Sequence, residues 1–300
     1  MRIATVALLR RTFGIMAFSS SSGALAAAGG ASGAAENPTA NSAAASPGRG
    51  HRVDLAQAAA AGELEATLLD AVLPCLRAGG VVALPTDTIY GVAAMAQNTA
   101  AVRRLYALKG RDAGKPVAIC VPEVADVGRY GVVTVSQALL GLLLPGPVTV
   151  VLQRRPELNP ELNPGTALVG IRVPDHAFTR QVVRGCAGAL ALTSANLSSH
   201  PSAVTVEEFG EIWGGLDYIL DGGDLSAVQR GGGSGGGADR SGSTVVDLSV
   251  AGVYKIIRPG SAYRETVRTL RGHGLLPAGP EDKEPEEPEE PRSTQPNGCS

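Results

Sequence analysis

The chain has 300 residues, 44% of them apolar, with 26 basic and 28 acidic side chains and a formal charge of −2. From His51 to Gly274 the two signs balance at 20 each, so the core lacks the clustered basic excess that avid duplex binding needs, although a local basic cavity stays open. No apolar run reaches the ~18–20 residues of a membrane span, and Cys75, Cys120, Cys186 and Cys299, with no C-x-x-C pair, argue against a zinc site or disulfide framework and suit a reducing compartment.

Taken from the N-terminus, the first segment carries Arg2, Arg10 and Arg11, is rich in Ser and Ala, and has no acid before Glu36. That is the composition of a mitochondrial transit peptide; a secretory signal would have to run its apolar core through Arg10 and Arg11. The alternative is a plain Ala/Gly/Ser leader. Initiation at Met16 would omit all three arginines, so both mitochondrion and cytoplasm are expected locations. From Ser19 to Gly50 almost no large apolar side chain occurs, and such a stretch cannot repay its ordering entropy. Residues 1–50 are therefore expected to be a leader and disordered linker.

A domain of about 225 residues, enough for one full core, is expected over 51–275. The apolar spacing predicts a helix over Glu65–Ala78, closed by Gly79-Gly80 and kinked at Pro74, then a strand at Val81–Leu84 and a helix over Thr99–Lys109. Strands follow at Val117–Val121, Val148–Leu152, Leu168–Val173, Ala189–Thr193, Thr244–Leu248 and Val253–Arg258. Helices are expected at Ser136–Leu144, Phe178–Arg184 and Ser261–Arg271. This alternation gives an α+β class with a mixed sheet and flanking helices, and no repeat of solenoid length occurs. Residues 276–300, with the proline-punctuated acidic run Glu281–Pro291, are expected to be a solvated tail.

Several segments combine a strand end with polar side chains. Lys109-Gly110-Arg111 followed by Gly114-Lys115-Pro116 sets three cations around two glycines, suited either to wrapping a polyphosphate or to a helix C-terminus that favours cations. It is not a Walker A loop, which needs a longer glycine spacing and a hydroxyl after the lysine. Leu84–Gly91 and Thr193-Ser194-Ala195-Asn196 put hydroxyls, a carboxylate and an amide where apolar strands end, the usual place for ligands in open α/β sheets, or for turn caps. Arg172, alone on an apolar strand, needs an anionic partner, from a ligand or from the protein. No G-x-S-x-G surrounds Ser194, and His176 and His200 have no partner pattern, which argues against an acyl-enzyme. Gly231–Gly237 formally contains G-x-G-x-x-G, yet neither strand nor helix flanks it, so it reads as a flexible insertion.

In order, PTDTIYG, LKGRDAGKP, PGPVT, GIRVPDH, TSANLS, STVVDL and IRPGS resemble the YrdC-like family of threonylcarbamoyl-AMP synthases, over about Glu65 to Arg271 and in the short, single-domain form. The resemblance implies a twisted mixed sheet around a deep basic cavity. It also implies a reaction of ATP, L-threonine and bicarbonate that gives threonylcarbamoyl-AMP and pyrophosphate. The product would pass to a tRNA threonylcarbamoyl transferase complex acting on adenosine 37, with a weak tRNA contact by this chain a further possibility.

By the same resemblance Lys109 and Arg111 are the catalytic cations. Lys109, Arg111, Lys115, Asn196 and Arg258 would hold ATP, and Thr88, Arg172, Ser194 and Thr244 the threonine. Mg2+ would accompany ATP, with no protein residue assigned to it. Such chemistry needs charge neutralisation and positioning rather than a protein nucleophile. The Lys109–Lys115 loop is the expected lid. Cys120 stands where longer relatives place a histidine. Two other classes stay open: an RNA-binding module with a basic concave surface, opposed by the neutral core and few aromatics, and a carbamoyl-transfer adenylating domain.

Overall fold

The computed structural model describes residues 50–60, 64–110, 116–197, 200–226 and 239–279. The leader up to residue 49, the tail from residue 280, Arg111 and Lys115 of the cation loop, and the glycine run Gly231–Gly237 lie outside the described residues.

Twelve strands among the described residues share one sheet. In chain order they are β1 (His51–Asp54), β2 (Val81–Leu84), β3 (Gly91–Met95), β4 (Ala118–Cys120), β5 (Gly131–Val132), β6 (Val148–Arg154), β7 (Leu168–Arg172), β8 (Leu190–Ser194), β9 (Tyr218–Asp221), β10 (Thr244–Asp247), β11 (Val253–Arg258) and β12 (Leu276–Pro277). The order across the sheet is β1-β9-β2-β3-β8-β4-β7-β6-β10-β11-β12, with β5 paired to β6. Parallel pairs (β1·β9, β2·β9, β4·β7, β6·β10, β11·β12) occur together with antiparallel ones, so the sheet is mixed, as expected. Among the described residues, six α-helices connect them: α1 (Leu55–Ala60), α2 (Leu64–Arg77), α3 (Thr99–Leu108), α4 (Gln137–Leu143), α5 (Ala177–Gly185) and α6 (Tyr263–Gly272), with two short 3-10 helices at Val124–Arg129 and Glu207–Gly215.

Side-chain alternation along each strand splits the core in two. Val82 and Leu84 of β2, Leu190 and Leu192 of β8 and Leu220 of β9 join Leu68, Val72 and Leu76 of α2 and Val182 and Val183 of α5. The α2 residues recur every four positions, one apolar stripe on a helix. The interleaved residues Val81, Ala83, Ala191 and Ile219 join Ala101, Val102 and Leu105 of α3, with α4 and α6, on the opposite face. Helix starts are capped by side chains: Asn98 Oδ1 accepts from Ala101 N–H, Ser136 Oγ from Leu139 N–H, and His176 Nδ1 from Thr179 N–H. Helix α2 runs unbroken through Pro74, and no described helix is long and apolar enough to cross a membrane.

Helices α2 and α5 cover only the half of their face that holds β2, β3, β8 and β9. Beyond Leu192 the same face continues through Ala118, Gly170 and Val151 with small or short side chains, and there a cavity forms. Leu76 is fully buried under α2. Leu76→Ala is expected to lower unfolding free energy by about 2–5 kcal/mol in a urea titration, by lost transfer energy plus the void left behind.

Candidate active site

The cavity measures about 410 Å3, within the usual range for small-molecule sites. Its floor is the sheet. A Cβ added at Gly170 would stand 3.1 Å from Thr149 Cγ2 and 3.5 Å from Ala118 Cβ, so any larger residue there would take up cavity space or push its neighbours aside. Ile89, Pro116, Val151, Leu168, Leu192, Val245 and Ile257 give apolar walls, and among the described residues the charged side chains in the lining are Arg172 and Arg258.

The loop joining β2 to β3 is folded by its own threonine. Thr86 Oγ1 accepts from the N–H groups of Thr88 (3.1 Å) and Ile89 (3.3 Å) and donates to Ile89 O (2.8 Å). Thr179 Oγ1 of α5 donates to Pro85 O at 2.6 Å and ties that loop to the helix. The loop thereby presents Asp87 to Arg172, the last residue of β7. Arg172 Nη2 donates to Asp87 Oδ1, both Nη atoms lie 3.4 Å from Thr88 Oγ1, and both side chains of the ion pair are 8% exposed. Arg172 Nε and Asp87 Oδ2 have no hydrogen-bond partner. The lone cation on an apolar strand thus has a protein partner, with one donor and one acceptor left over.

On the other side, Arg258 at the end of β11 donates to Ser243 O at 2.9 Å. Arg258 keeps an exposed edge and lines the same cavity as Arg172; its guanidinium pKa is lowered, by partial desolvation first and by Arg172 second. Between them Thr149 and Ser243 share a hydroxyl hydrogen bond of 2.8 Å. Lys109 caps α3, is buried, and donates from Nζ to Ser194 O at 2.6 Å, which brings the first residue of Lys109-Gly110-Arg111 against the TSAN strand end. Gly260 is packed so closely on β10 that a Cβ would lie 2.4 Å from Thr244 N.

Of the residues expected from sequence, Arg172, Ser194 and Arg258 line the cavity, and Lys109 and Thr88 contact lining residues. Asn196 stands behind Ser194. Its amide donates to Leu197 O and His200 O, and Oδ1 is buried without a partner. Thr244 is wholly buried on the face of Val246, whereas Ser243 and Val245 reach the cavity. Arg111 and Lys115 lie outside the described residues. Cys120 is buried among α2 and α5 and is not in the lining; burial pushes its thiol up to about 12. His176, beside Asp87, is held below its ordinary pKa by burial, against the opposing pull of Asp87 and Asp175. Sequence reasoning assigned no role of their own to Thr86, Thr149, Thr193 and Ser243, all of which line the cavity. Thr149 and Ser243 sit inside PGPVT and STVVDL, and only strand alternation shows which hydroxyl of a Ser-Thr pair faces in.

No group of three or more His, Cys, Asp or Glu among the described residues could hold a metal ion. Asp87, whose partner Arg172 lines the cavity, is engaged by that arginine.

The Sua5/YciO/YrdC family model, whose description reads telomere recombination, matches residues 74–260. The chain is 51% identical over 233 residues to the Homo sapiens protein named threonylcarbamoyl-AMP synthase, covering 77% of this chain and 80% of that one. A Bos taurus protein of the same name is 51% identical over 210 residues, covering 70% and 74%. The solved structure of P. abyssi Sua5 complexed with L-threonine superposes with a TM-score of 0.63 at 25% identity; it covers 75% of this chain, which spans 62% of the P. abyssi chain.

Two outcomes are expected from this geometry. Asp87→Asn leaves Arg172 buried without its counter-charge and should cost about 3–5 kcal/mol in urea unfolding, most of it recovered in Asp87→Leu/Arg172→Met. Glu208 is held at about 2 by its hydrogen bond from Arg240, with burial opposing, and this contact anchors the segment leading into Ser243. Its contribution is complete above the ordinary carboxylate pKa and is lost as pH falls towards 2. The decline in melting temperature between pH ~5 and ~2 should therefore be shallower in Arg240→Gln than in the unsubstituted chain.

Proposed function

The chain belongs to the Sua5/YciO/YrdC family, and from that premise we infer that it is an L-threonylcarbamoyladenylate synthase. It is an enzyme that uses ATP and L-threonine. The observation that carries the reading is the pair of guanidiniums, Arg172 and Arg258, turned into one partly apolar cavity. Asp87 already balances Arg172, so the added charge is that of Arg258, and an anion lodged between the two guanidiniums relieves their repulsion; both the carboxylate or carbamate of threonine and the α-phosphate of ATP are such anions.

In this proposal the amino group of threonine is carboxylated by bicarbonate with loss of water. A carbamate oxygen then attacks the α-phosphorus, and the bond to pyrophosphate breaks. Arg172 orients the threonine carboxylate, with Thr88 and Ser194 beside it, and Asp87 fixes the guanidinium. Ser243 takes the place first given to Thr244, because Ser243 is the hydroxyl that reaches the cavity. Lys109, Arg111, Lys115 and Arg258 neutralise the triphosphate, with Lys109 and Arg111 acting on the charge that grows at the breaking bond. Asn196 offers the nucleotide an acceptor oxygen, since its amide hydrogens are spent on Leu197 and His200, and a ribose hydroxyl or adenine amine suits it better than a phosphate. Magnesium arrives as the complex of ATP.

The product is an activated carbamoyl group for a tRNA threonylcarbamoyl transferase complex. The 1–50 leader sends part of the protein to the mitochondrion, and initiation at Met16 supplies the cytoplasm.

The test is pyrophosphate release with ATP, magnesium and bicarbonate, comparing L-threonine with no amino acid, valine and serine. Release should depend on threonine. Lys109→Ala and Arg111→Ala should each lower kcat on the order of 10²–10³-fold. Serine should be used at about 10- to 200-fold lower kcat/KM, because only a methyl contact separates it from threonine. No threonine-dependent release from folded protein would overturn the assignment and favour an RNA-binding role.

A further inference from the structure

At the outer edge of the sheet, β1 brings a residue that belongs to none of the motifs into the network beneath the cavity. Arg52 donates from Nε and Nη2 to Asp221 Oδ2 at 2.9 and 2.6 Å. Its Nη2 also meets Glu207 Oε1 at 2.8 Å, and its guanidinium lies 5.9 Å from the Trp213 ring. The second oxygen of Asp221 accepts from Gly223 N–H at 2.9 Å and lies 3.2 Å from the Tyr90 hydroxyl. That hydroxyl donates to Gly223 O at 2.8 Å and accepts from Gly222 N–H at 2.9 Å.

Tyr90 is fully buried and borders the cavity. Its backbone carbonyl accepts from Ala195 N–H at 2.9 Å and its N–H donates to Ala203 O at 2.8 Å. One side chain and its peptide groups therefore join three loops: the one carrying Thr86 and Thr88, the one following Ser194, and the one following β9. There is no slack at this junction, since a Cβ on Gly222 would meet Pro85 at 2.9 Å.

We propose that Arg52 and Asp221 are positioning residues for the cavity: they fix the Tyr90 hydroxyl and so set the separation of the two loops that hold the amino-acid and nucleotide ends of the site. A carboxylate as buried as Asp221 needs a counter-charge to stay ionised in place. Without Arg52 it turns outward or protonates, the Tyr90 hydroxyl loses one of its partners, and the loops separate. Displacements of ~1 Å at reacting groups are costly out of proportion to their size. A mature N-terminus beyond Arg52 would lose this support with every family motif intact.

The kinetic part of the test rests on the assigned synthase activity; the exchange part does not. Full-length Arg52→Ala, Arg52→Lys and Asp221→Asn are compared with Val267→Ala, a core substitution in α6 that lowers stability away from the cavity. At a temperature where all are folded, Arg52→Ala and Asp221→Asn should raise KM for threonine and for ATP on the order of tenfold. Arg52→Lys should recover part of the loss, and Val267→Ala should lower the melting temperature with KM unchanged. Amide hydrogen exchange should show protection lost at residues 85–90 and 195–197 in Arg52→Ala and retained in Val267→Ala. Unchanged KM values in folded Arg52→Ala would overturn the proposal. If the unsubstituted chain shows no turnover, the functional reading fails and the exchange result alone decides, with unchanged protection at those loops overturning the positioning role.

Discussion

The ion pair between Arg172 and Asp87 joins two parts of the chain that are not neighbours in the sheet, β7 and the β2–β3 loop. Each side chain is 8% exposed, so the pair sits where an unmatched charge would cost several kcal/mol. Arg172 can end a buried strand only if the β2–β3 loop brings Asp87 to it. That loop reaches the right place because Thr86 folds it and Thr179 anchors it to α5. The cavity wall, the loop and the helix N-terminus are therefore one unit. The pair is also incompletely satisfied, with Nε of the arginine and one carboxylate oxygen left over, a local sacrifice in stability of the kind found where a protein keeps polar capacity for something it binds.

Uneven helix coverage turns this unit into a site. Helices α2 and α5 spread over half of one sheet face and stop at Leu192, and the strands beyond carry Ala118, Gly170 and Val151 where a core would carry larger residues. The opposite face is filled by α3, α4 and α6. Rigidity thus comes from behind the site, which leaves its front to be formed by loops and by whatever lies between Arg172 and Arg258.

Much of this was legible in the residues. Runs of branched apolar side chains marked β2, β4, β6, β7, β8, β10 and β11, and polar residues at their ends marked Arg172, Ser194 and Arg258. Strand β3 was not legible, because Gly91–Met95 offers one branched side chain, Val92, among glycine, alanine and methionine; its neighbours β2 and β8 hold it extended. Strands β1 and β9 are four residues each, and they stabilise one another across the sequence rather than through local preference. Ser243 and Thr244 differ in which side of a strand they face, a distinction the bulge between Val245 and Val246 blurs further. Arg52 carried no signal at all, since its meaning depends on Asp221, 169 positions away.

That distance also sets an order of events during synthesis. Strand β1 is among the first parts of the domain to leave the ribosome, yet among the described residues its only sheet neighbour is β9. At usual elongation speeds of ~5–20 residues per second, Arg52 waits roughly 10–30 seconds before Asp221 exists. Throughout that interval the front end of the chain has no native pairing to hold it, and it stays available to be threaded, cut or captured while the central strands are still being made. Among the described strands, the one synthesised first waits longest for its partner.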